Sequence, residues 1–363
     1  MEKIKYFGKW VCIDGYAFNI ETKQLIELGE QQINSEFFKS DSFREIVNSD
    51  SSIVYQKSKA NQILALEITE ECNYNCHYCF EGSNYKMRKS LDYQTACKAI
   101  DKLPDSSQLR FFGGEPLIKF ELIKELVKKY PQHSYSIVTN GSLITQEIAT
   151  FLAEYKFSIG LSYDGFGWQI KNRTSKNNNS QNDFEKAVKL LSKAGAYIGI
   201  STVVTKESIP HLYDIHLEVF DDYPINGWAY LIGYTPDMTF SDLDIFRDNL
   251  LEIIKDFPAR HLLKINDLRK WSMKITGEWP IDKFCGAGTC YKALTSNGEE
   301  RFCPFFLRES SCYGPSIGLT EVDCKRCPIW NFCKGGCLAL NLYGSGETHK
   351  SHPFSCKKKS YIF

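Results

Sequence analysis

The sequence predicts an α/β fold: a partial (β/α)6, TIM-like barrel with an irregular cysteine-rich C-terminal domain and a small N-terminal β-rich unit. Three observations predict it. From Gln62 onward, apolar segments of strand length alternate six times with segments of helical period. Nine of the 14 cysteines crowd between Cys285 and Cys356, among glycines and prolines that break regular structure. Before residue 60, short strand-like runs flank Asp14-Gly15, a hairpin turn signal.

In the N-terminal unit the runs Lys9 to Ile13, Tyr16 to Ile20 and Gln24 to Leu28 read as strands, and Phe37 to Val47 as a short helix. The six strands of the repeat are Ile63 to Thr69, Leu109 to Phe112, Tyr135 to Thr139, Ser158 to Tyr163, Tyr197 to Val204 and Gly227 to Ile232. The helices between and after them are Asp92 to Leu103, Ile118 to Tyr130, Gln146 to Tyr155, Phe184 to Ala194, Leu212 to Phe220 and Asp242 to Lys255. Consecutive strand–helix units imply parallel strands with right-handed crossovers. An open sheet satisfies the same pattern. The expected boundaries are 1–60, 61–257 and 258–363. The polar run Ser175 to Asp183 reads as a mobile surface loop.

Lys+Arg and Asp+Glu each number 44, so no charge footprint points to nucleic acid or an acidic membrane. No apolar stretch is long enough to span a bilayer. The N-terminus lacks an apolar signal region, so a cytoplasmic, reducing location is expected, where clustered cysteines serve more often as metal ligands than as disulfides.

In folds of this kind the site forms at the C-terminal ends of the strands, and the unusual residues fall there. Cys72-x3-Cys76-x2-Cys79 follows the first strand, Gly113-Gly114-Glu115-Pro116 the second, Thr139-Asn140-Gly141 the third, and Ser162 and Asp164 end the fourth. Three thiolates on one loop leave one iron of a [4Fe–4S] cluster open for chemistry. Half of a zinc site with a distant fourth ligand would use the same residues.

Cys72 to Cys79, CNYNCHYC, resembles the signature of the radical S-adenosylmethionine (SAM) superfamily. The resemblance spans about Gln62 to Asp256. It implies a [4Fe–4S] cluster on Cys72, Cys76 and Cys79 whose open iron chelates SAM, with Tyr78 near the adenine. It implies that Gly113, Gly114, Glu115 and Pro116 contact the methionyl amino group, with Asn140 on the same rim. Ser162 and Asp164 lie by the ribose and carboxylate, Arg173 pairs with the carboxylate, and Val203 packs on the adenine.

Downstream, Cys285, Cys290, Gly298-x4-Cys303 and Cys324-x2-Cys327-x5-Cys333-x3-Cys337, then Cys356, resemble the SPASM extension of that superfamily. Carried over, one auxiliary [4Fe–4S] cluster uses Cys285, Cys290, Cys303 and Cys337, and a second uses Cys324, Cys327, Cys333 and Cys356. A pair of structural zinc sites, with His349 and His352 nearby, is the blander reading. Cys12, Cys97 and Cys312 remain as spares.

The implied chemistry is reductive cleavage of SAM to a 5′-deoxyadenosyl radical that takes hydrogen from an unactivated carbon. Relatives with this extension mostly modify peptides. The expected function is oxidative crosslinking, thioether or carbon–carbon, of a ribosomally made precursor peptide with leader and core, supported by an electron donor such as flavodoxin or ferredoxin. Sulfatase maturases carry an acidic base where this chain has Pro304, which counts against formylglycine formation. A small-molecule substrate, epimerisation, or a non-catalytic zinc or iron–sulfur protein are the alternatives. Glu70, Glu81, Asp164 and Asp282 are unranked candidate general bases.

Overall fold

A computed structural model describes residues 5–7, 10–13, 16–19, 25–27, 34–48, 62–79, 88–175, 179–233, 238–257, 262, 264–266, 268, 270, 273, 285–306, 333, 335–339 and 341. Glu81, Asp282, Cys312, Cys324, Cys327 and Cys356 lie outside them. The chain divides into two units, Met1–Ala60 with Leu268–Asp282, and Asn61–Asp267 with Lys283–Phe363.

The first unit carries a four-stranded antiparallel meander of β1 (Lys5–Phe7), β2 (Trp10–Ile13), β3 (Tyr16–Asn19) and β4 (Leu25–Glu27). Ile13 pairs with Tyr16 in the register between β2 and β3. The expected single helix from Phe37 is interrupted. A 3-10 turn (Phe37–Lys39) ends at Ser40, whose Oγ then accepts the backbone N–H of Phe43, 3.2 Å, in the first turn of α1 (Asp41–Asn48). Phe43 is buried in this unit, edge-on to Trp10 with ring centroids 4.9 Å apart.

The second unit is α/β. All six expected strands form, as β5 (Ile63–Thr69), β7 (Gln108–Gly113), β8 (Ser134–Thr139), β9 (Ser158–Ser162), β11 (Tyr197–Val204) and β12 (Gly227–Ile232). They pair in parallel in that order. The sheet continues beyond β5 with two strands not anticipated from the sequence: β13 (Tyr291–Leu294), parallel to β5, and β14 (Glu300–Arg301), antiparallel to β13. A second unanticipated feature is the short antiparallel ribbon of β6 (Tyr74–Cys76) with β10 (Arg173–Ser175).

The helices are α2 (Tyr93–Ile100), α3 (Phe120–Lys129), α4 (Gln146–Glu154), α5 (Trp168–Asn172), α6 (Ser180–Lys193), α7 (Leu212–Asp221) and α8 (Phe240–Asp256). Their starts follow local capping chemistry. Asp92 accepts the backbone N–H of Thr95, Thr145 that of Ile148, and Thr239 and Asp242 form a capping box for α8. Helix α6 begins at Ser180, so the expected surface loop is shorter than its polarity suggests. Ser180 and Gln181 are buried: Gln169 Nε2 donates to Ser180 O, Ser180 Oγ–H donates to Gln169 O, and Gln181 Nε2 donates to Tyr163 Oη and Glu185 Oε1. Side chains alternate across each strand. On the helix-covered face Leu109, Phe111, Ile137, Ile159 and Leu161 make the core. On the other, Ala65, Arg110, Ser136 and Ser158 share one row across β5, β7, β8 and β9.

Candidate functional site

The rim at the C-terminal ends of the strands is assembled around the root of the cysteine loop. Gly113 and Gly114 serve that root directly. Gly114 N–H donates to Thr69 O and Glu115 N–H to Glu71 O, both at 2.8 Å. A Cβ on Gly113 would lie 2.3 Å from Thr69 O, and one on Gly114 2.2 Å from Glu71 O. Gly113 also has φ +136°, open to glycine and strained for other residues. The glycines are therefore required by backbone packed against backbone, whatever ligand the loop also meets.

Glu115 is fully buried. Its Oε1 accepts Thr139 Oγ1–H at 2.7 Å and Leu117 N–H at 3.1 Å, and Oε2 accepts Asn140 N–H at 2.8 Å. Burial pushes its carboxyl up to about 7 against these three donors. Both oxygens are thus engaged with the ends of β7 and β8. Asn140 in turn donates from Nδ2 to Asn73 Oδ1 at 2.9 Å, and Asn73 donates to Ser142 Oγ at 2.8 Å.

Tyr74 Oη–H donates to Asp183 Oδ2 at 2.6 Å, which fixes the loop to α6. At the next corner, Asp164 is fully enclosed. Arg173 Nη2 lies 3.0 Å from its Oδ1, Val203 N–H donates to the same oxygen at 3.0 Å, and Tyr78 donates its hydroxyl to Oδ2. The Arg173 guanidinium lies over the Tyr78 ring, 5.4 Å from its centroid, and Arg173 pairs in register with Cys76. Gln169 Oε1 accepts the Asp164 N–H at 3.0 Å. A carboxylate committed to these partners is poorly placed to act as a free base. Ser162 is buried at the end of β9, and Val203 is half-buried on β11.

The other described candidate base, Glu70, accepts the Ser296 hydroxyl at 2.7 Å and Lys89 N–H at 3.3 Å. Buried Glu67, two residues before Thr69, accepts Ser296 N–H at 2.8 Å. Ser296 belongs to the turn between β13 and β14, so the cysteine-bearing hairpin is bonded to the root of the triplet loop.

The thiols of Cys72 and Cys76 are half-buried and that of Cys79 is exposed. Burial pushes Cys72 up to about 11 and Cys76 to about 12, the latter despite Arg173. Bare thiolates are therefore disfavoured here, and a bound metal would deprotonate them. Among the described residues no three His, Cys, Asp or Glu side chains converge closely enough to hold a single metal ion. Three soft donors spread along one loop suit a cluster, whose ligands stand on separate irons. Arg173 Nε is buried without a hydrogen-bond partner, a donor that the carboxylate of a bound ligand would satisfy.

A second group of thiols lies at the far side of β5. Cys303 packs with Ala287, Phe306 and Ala339, and Cys285, Cys337 and Tyr291 pack against this group. Burial first, then the neighbouring Cys337 and Cys285, push Cys303 up to about 12. Cys290 is buried in the same turn, where a Cβ on Gly286 would meet its Sγ at 2.7 Å. Cys333 is half-buried. Cys97 is buried within α2, and Cys12 lies on β2.

Sequence reasoning missed Glu67, Asn73, Arg110, Ser142, Gln169, Asp183, Tyr291 and Ser296. They are ordinary polar or aromatic residues whose partners lie far along the chain, and no local pattern marks them.

Residues 66–217 match the model of the radical SAM superfamily. An uncharacterized protein of Methanocaldococcus jannaschii is 36% identical over 283 residues, 73% of this chain and 93% of its own. The cysteine-type anaerobic sulfatase-maturating enzyme of Clostridium novyi is 24% identical over 334 residues, 77% of this chain and 88% of its own. In fold, the chain resembles native anSMEcpe with bound AdoMet and Kp18Cys peptide, with a TM-score of 0.70 at 23% identity, covering 83% of this chain and 96% of that one. The chain belongs to the radical SAM superfamily, as a radical SAM enzyme resembling peptide maturases. Membership implies a [4Fe–4S] cluster and SAM as cofactors. Among the described residues no helix is long and apolar enough to cross a membrane.

Proposed function

We propose that the chain is a peptide maturase that forms an oxidative crosslink, thioether or carbon–carbon, in a ribosomally made precursor, and that it carries two auxiliary [4Fe–4S] clusters besides the SAM-binding one. The observation that carries this reading is the gathering of Cys285, Cys303 and Cys337 beside a strand of the same sheet whose rim holds the triplet. A net oxidation needs a place for an electron to go, and closed four-thiolate clusters supply one. The peptide named with the similar solved structure supports a peptide substrate.

When bound, the cluster and SAM supply the 5′-deoxyadenosyl radical chemistry of the superfamily. Cys72, Cys76 and Cys79 would hold the cluster. The backbone carbonyls at Gly113 and Gly114, or the remaining acceptor site of Glu115 Oε2, would take the methionyl ammonium. Arg173, kept in place by Asp164, would hold the carboxylate, Ser162 would serve the ribose, and Tyr78 and Val203 would flank the adenine. Pro304, on a 3-10 turn directly after Cys303, supplies no acidic base and argues against formylglycine formation.

The test is anaerobic reconstitution of the whole chain, with iron and sulfide counted and 5′-deoxyadenosine assayed with a reductant. About 11 to 12 iron atoms per chain are expected. Cys76→Ala should abolish nucleoside release, and Cys303→Ala should spare it better than it spares product. Incubation with a short peptide encoded beside the enzyme should give a product lighter by two hydrogens. Stoichiometric zinc without nucleoside sinks the reading.

A further inference from the structure

We propose that Arg110 and Tyr291 are positioning residues that set the reduction potential of the cluster held by Cys285, Cys290, Cys303 and Cys337. The inference rests on the auxiliary-cluster reading above and adds what tunes that cluster. Tyr291 opens β13 and faces two ways. Its ring packs against Ala65, Phe112 and Ala293 on the sheet, and against the group formed around Cys303 with Cys285 and Cys337. Its hydroxyl accepts Arg110 Nη1–H at 3.3 Å, and the guanidinium carbon lies 5.4 Å from the ring centroid. Arg110 Nε donates to Ser136 Oγ at 3.3 Å. No described carboxylate forms an ion pair with Arg110, although Arg173, Arg247 and Arg301 each have one.

A guanidinium with no ion-pair partner among the described residues thus stands one aromatic ring away from the thiols. Reduction adds one electron to a four-thiolate cluster and makes it more negative. A nearby cation in a poorly solvated setting favours that state, so the cluster becomes easier to reduce. Tyr291 holds the cation at its distance, and the ring keeps water out between them.

The test is a redox titration of the reconstituted full-length protein followed by electron paramagnetic resonance, with this cluster's signal assigned by its loss in Cys303→Ala. Arg110→Met should lower one midpoint by about tenfold in the one-electron equilibrium, about 59 mV, and leave the triplet's midpoint in place. Tyr291→Phe should move it less in the same direction, and Arg110→Lys should hold it near the unmodified value. Unmoved midpoints in Arg110→Met at full iron content overturn the inference and leave the cluster reading intact. If that variant fails to retain iron, Tyr291→Phe decides on the same terms. An unmodified protein holding only about four iron atoms per chain overturns the auxiliary-cluster reading itself.

Discussion

Glu70 and Ser296 stand 226 residues apart in the chain and are joined by a 2.7 Å hydrogen bond. The bond ties the β13–β14 turn to the residue two places before Cys72. Ser296→Ala removes this hydroxyl but keeps the backbone bond to Glu67. It should cost about 1 kcal/mol in urea unfolding of the metal-free protein. Glu67→Ala, which strands a buried N–H, should cost more, about 1 to 3 kcal/mol. Equal losses in the two variants would show that the backbone bond is not the stronger anchor.

Asp164→Asn leaves Arg173 charged in an enclosed site without its counter-ion. Removing one member of such a pair costs about 3 to 5 kcal/mol. The same chemical denaturation measures it. A loss below about 1 kcal/mol would place the pair with solvent-exposed ones, against its burial.

Glu115 gives stability an unusual pH dependence. Its folded value, about 7, lies above the ordinary 4.5. Between those values the folded chain holds the proton more tightly than the unfolded chain. The contribution is fully present below the lower value and is lost as pH rises through the upper one, a change of about 3 kcal/mol. Unfolding midpoints of the parent and Glu115→Gln, compared from about pH 5 to about pH 8, should converge or cross as the parent weakens. Parallel curves would contradict the shift.

Two glycine substitutions should part company. Gly113→Ala drives a methyl into the Thr69 carbonyl and should cost about 1 to 3 kcal/mol, with weakened iron retention by the triplet. Gly160→Ala meets nothing closer than Val138 Cγ2 at 3.5 Å, so it should be neutral or stabilise by up to about 1 kcal/mol. Thermal melts and iron counts on both variants check this.

Legibility followed the range of the interactions. The six parallel strands announce themselves because each is an apolar run bounded by a helix of different period. Strand β13 does not: Tyr291–Leu294 is four residues long, and its pairing with β5 makes it a strand. The three-residue β6 and β10 exist through the register of Cys76 with Arg173. The triplet is legible by spacing, and Asp164 and Arg173 by their order along the strands. The polar frame around them is not, since an Asn at 73 becomes informative only once Asn140 and Ser142 stand beside it. Glu115 reads as a ligand contact from its motif, and its bonds to Leu117, Thr139 and Asn140 become visible only in the fold.

The frame around the triplet also fixes when that loop can take its final form during biogenesis. Its partners Ser142, Asp164 and Asp183 lie 69, 86 and 109 residues downstream of the residues they hold. Such contacts are slow to form, because long loops must close before any of them is rewarded. A chain still emerging from the ribosome past Cys79 therefore has all three thiols and none of the scaffolding. These partners exist only once synthesis has passed Asp183, and the bonds from Ser296 to Glu67 and Glu70 only once it has passed the β13–β14 turn. A nascent chain stalled earlier would hold the triplet without that frame and with its thiols open to oxidation.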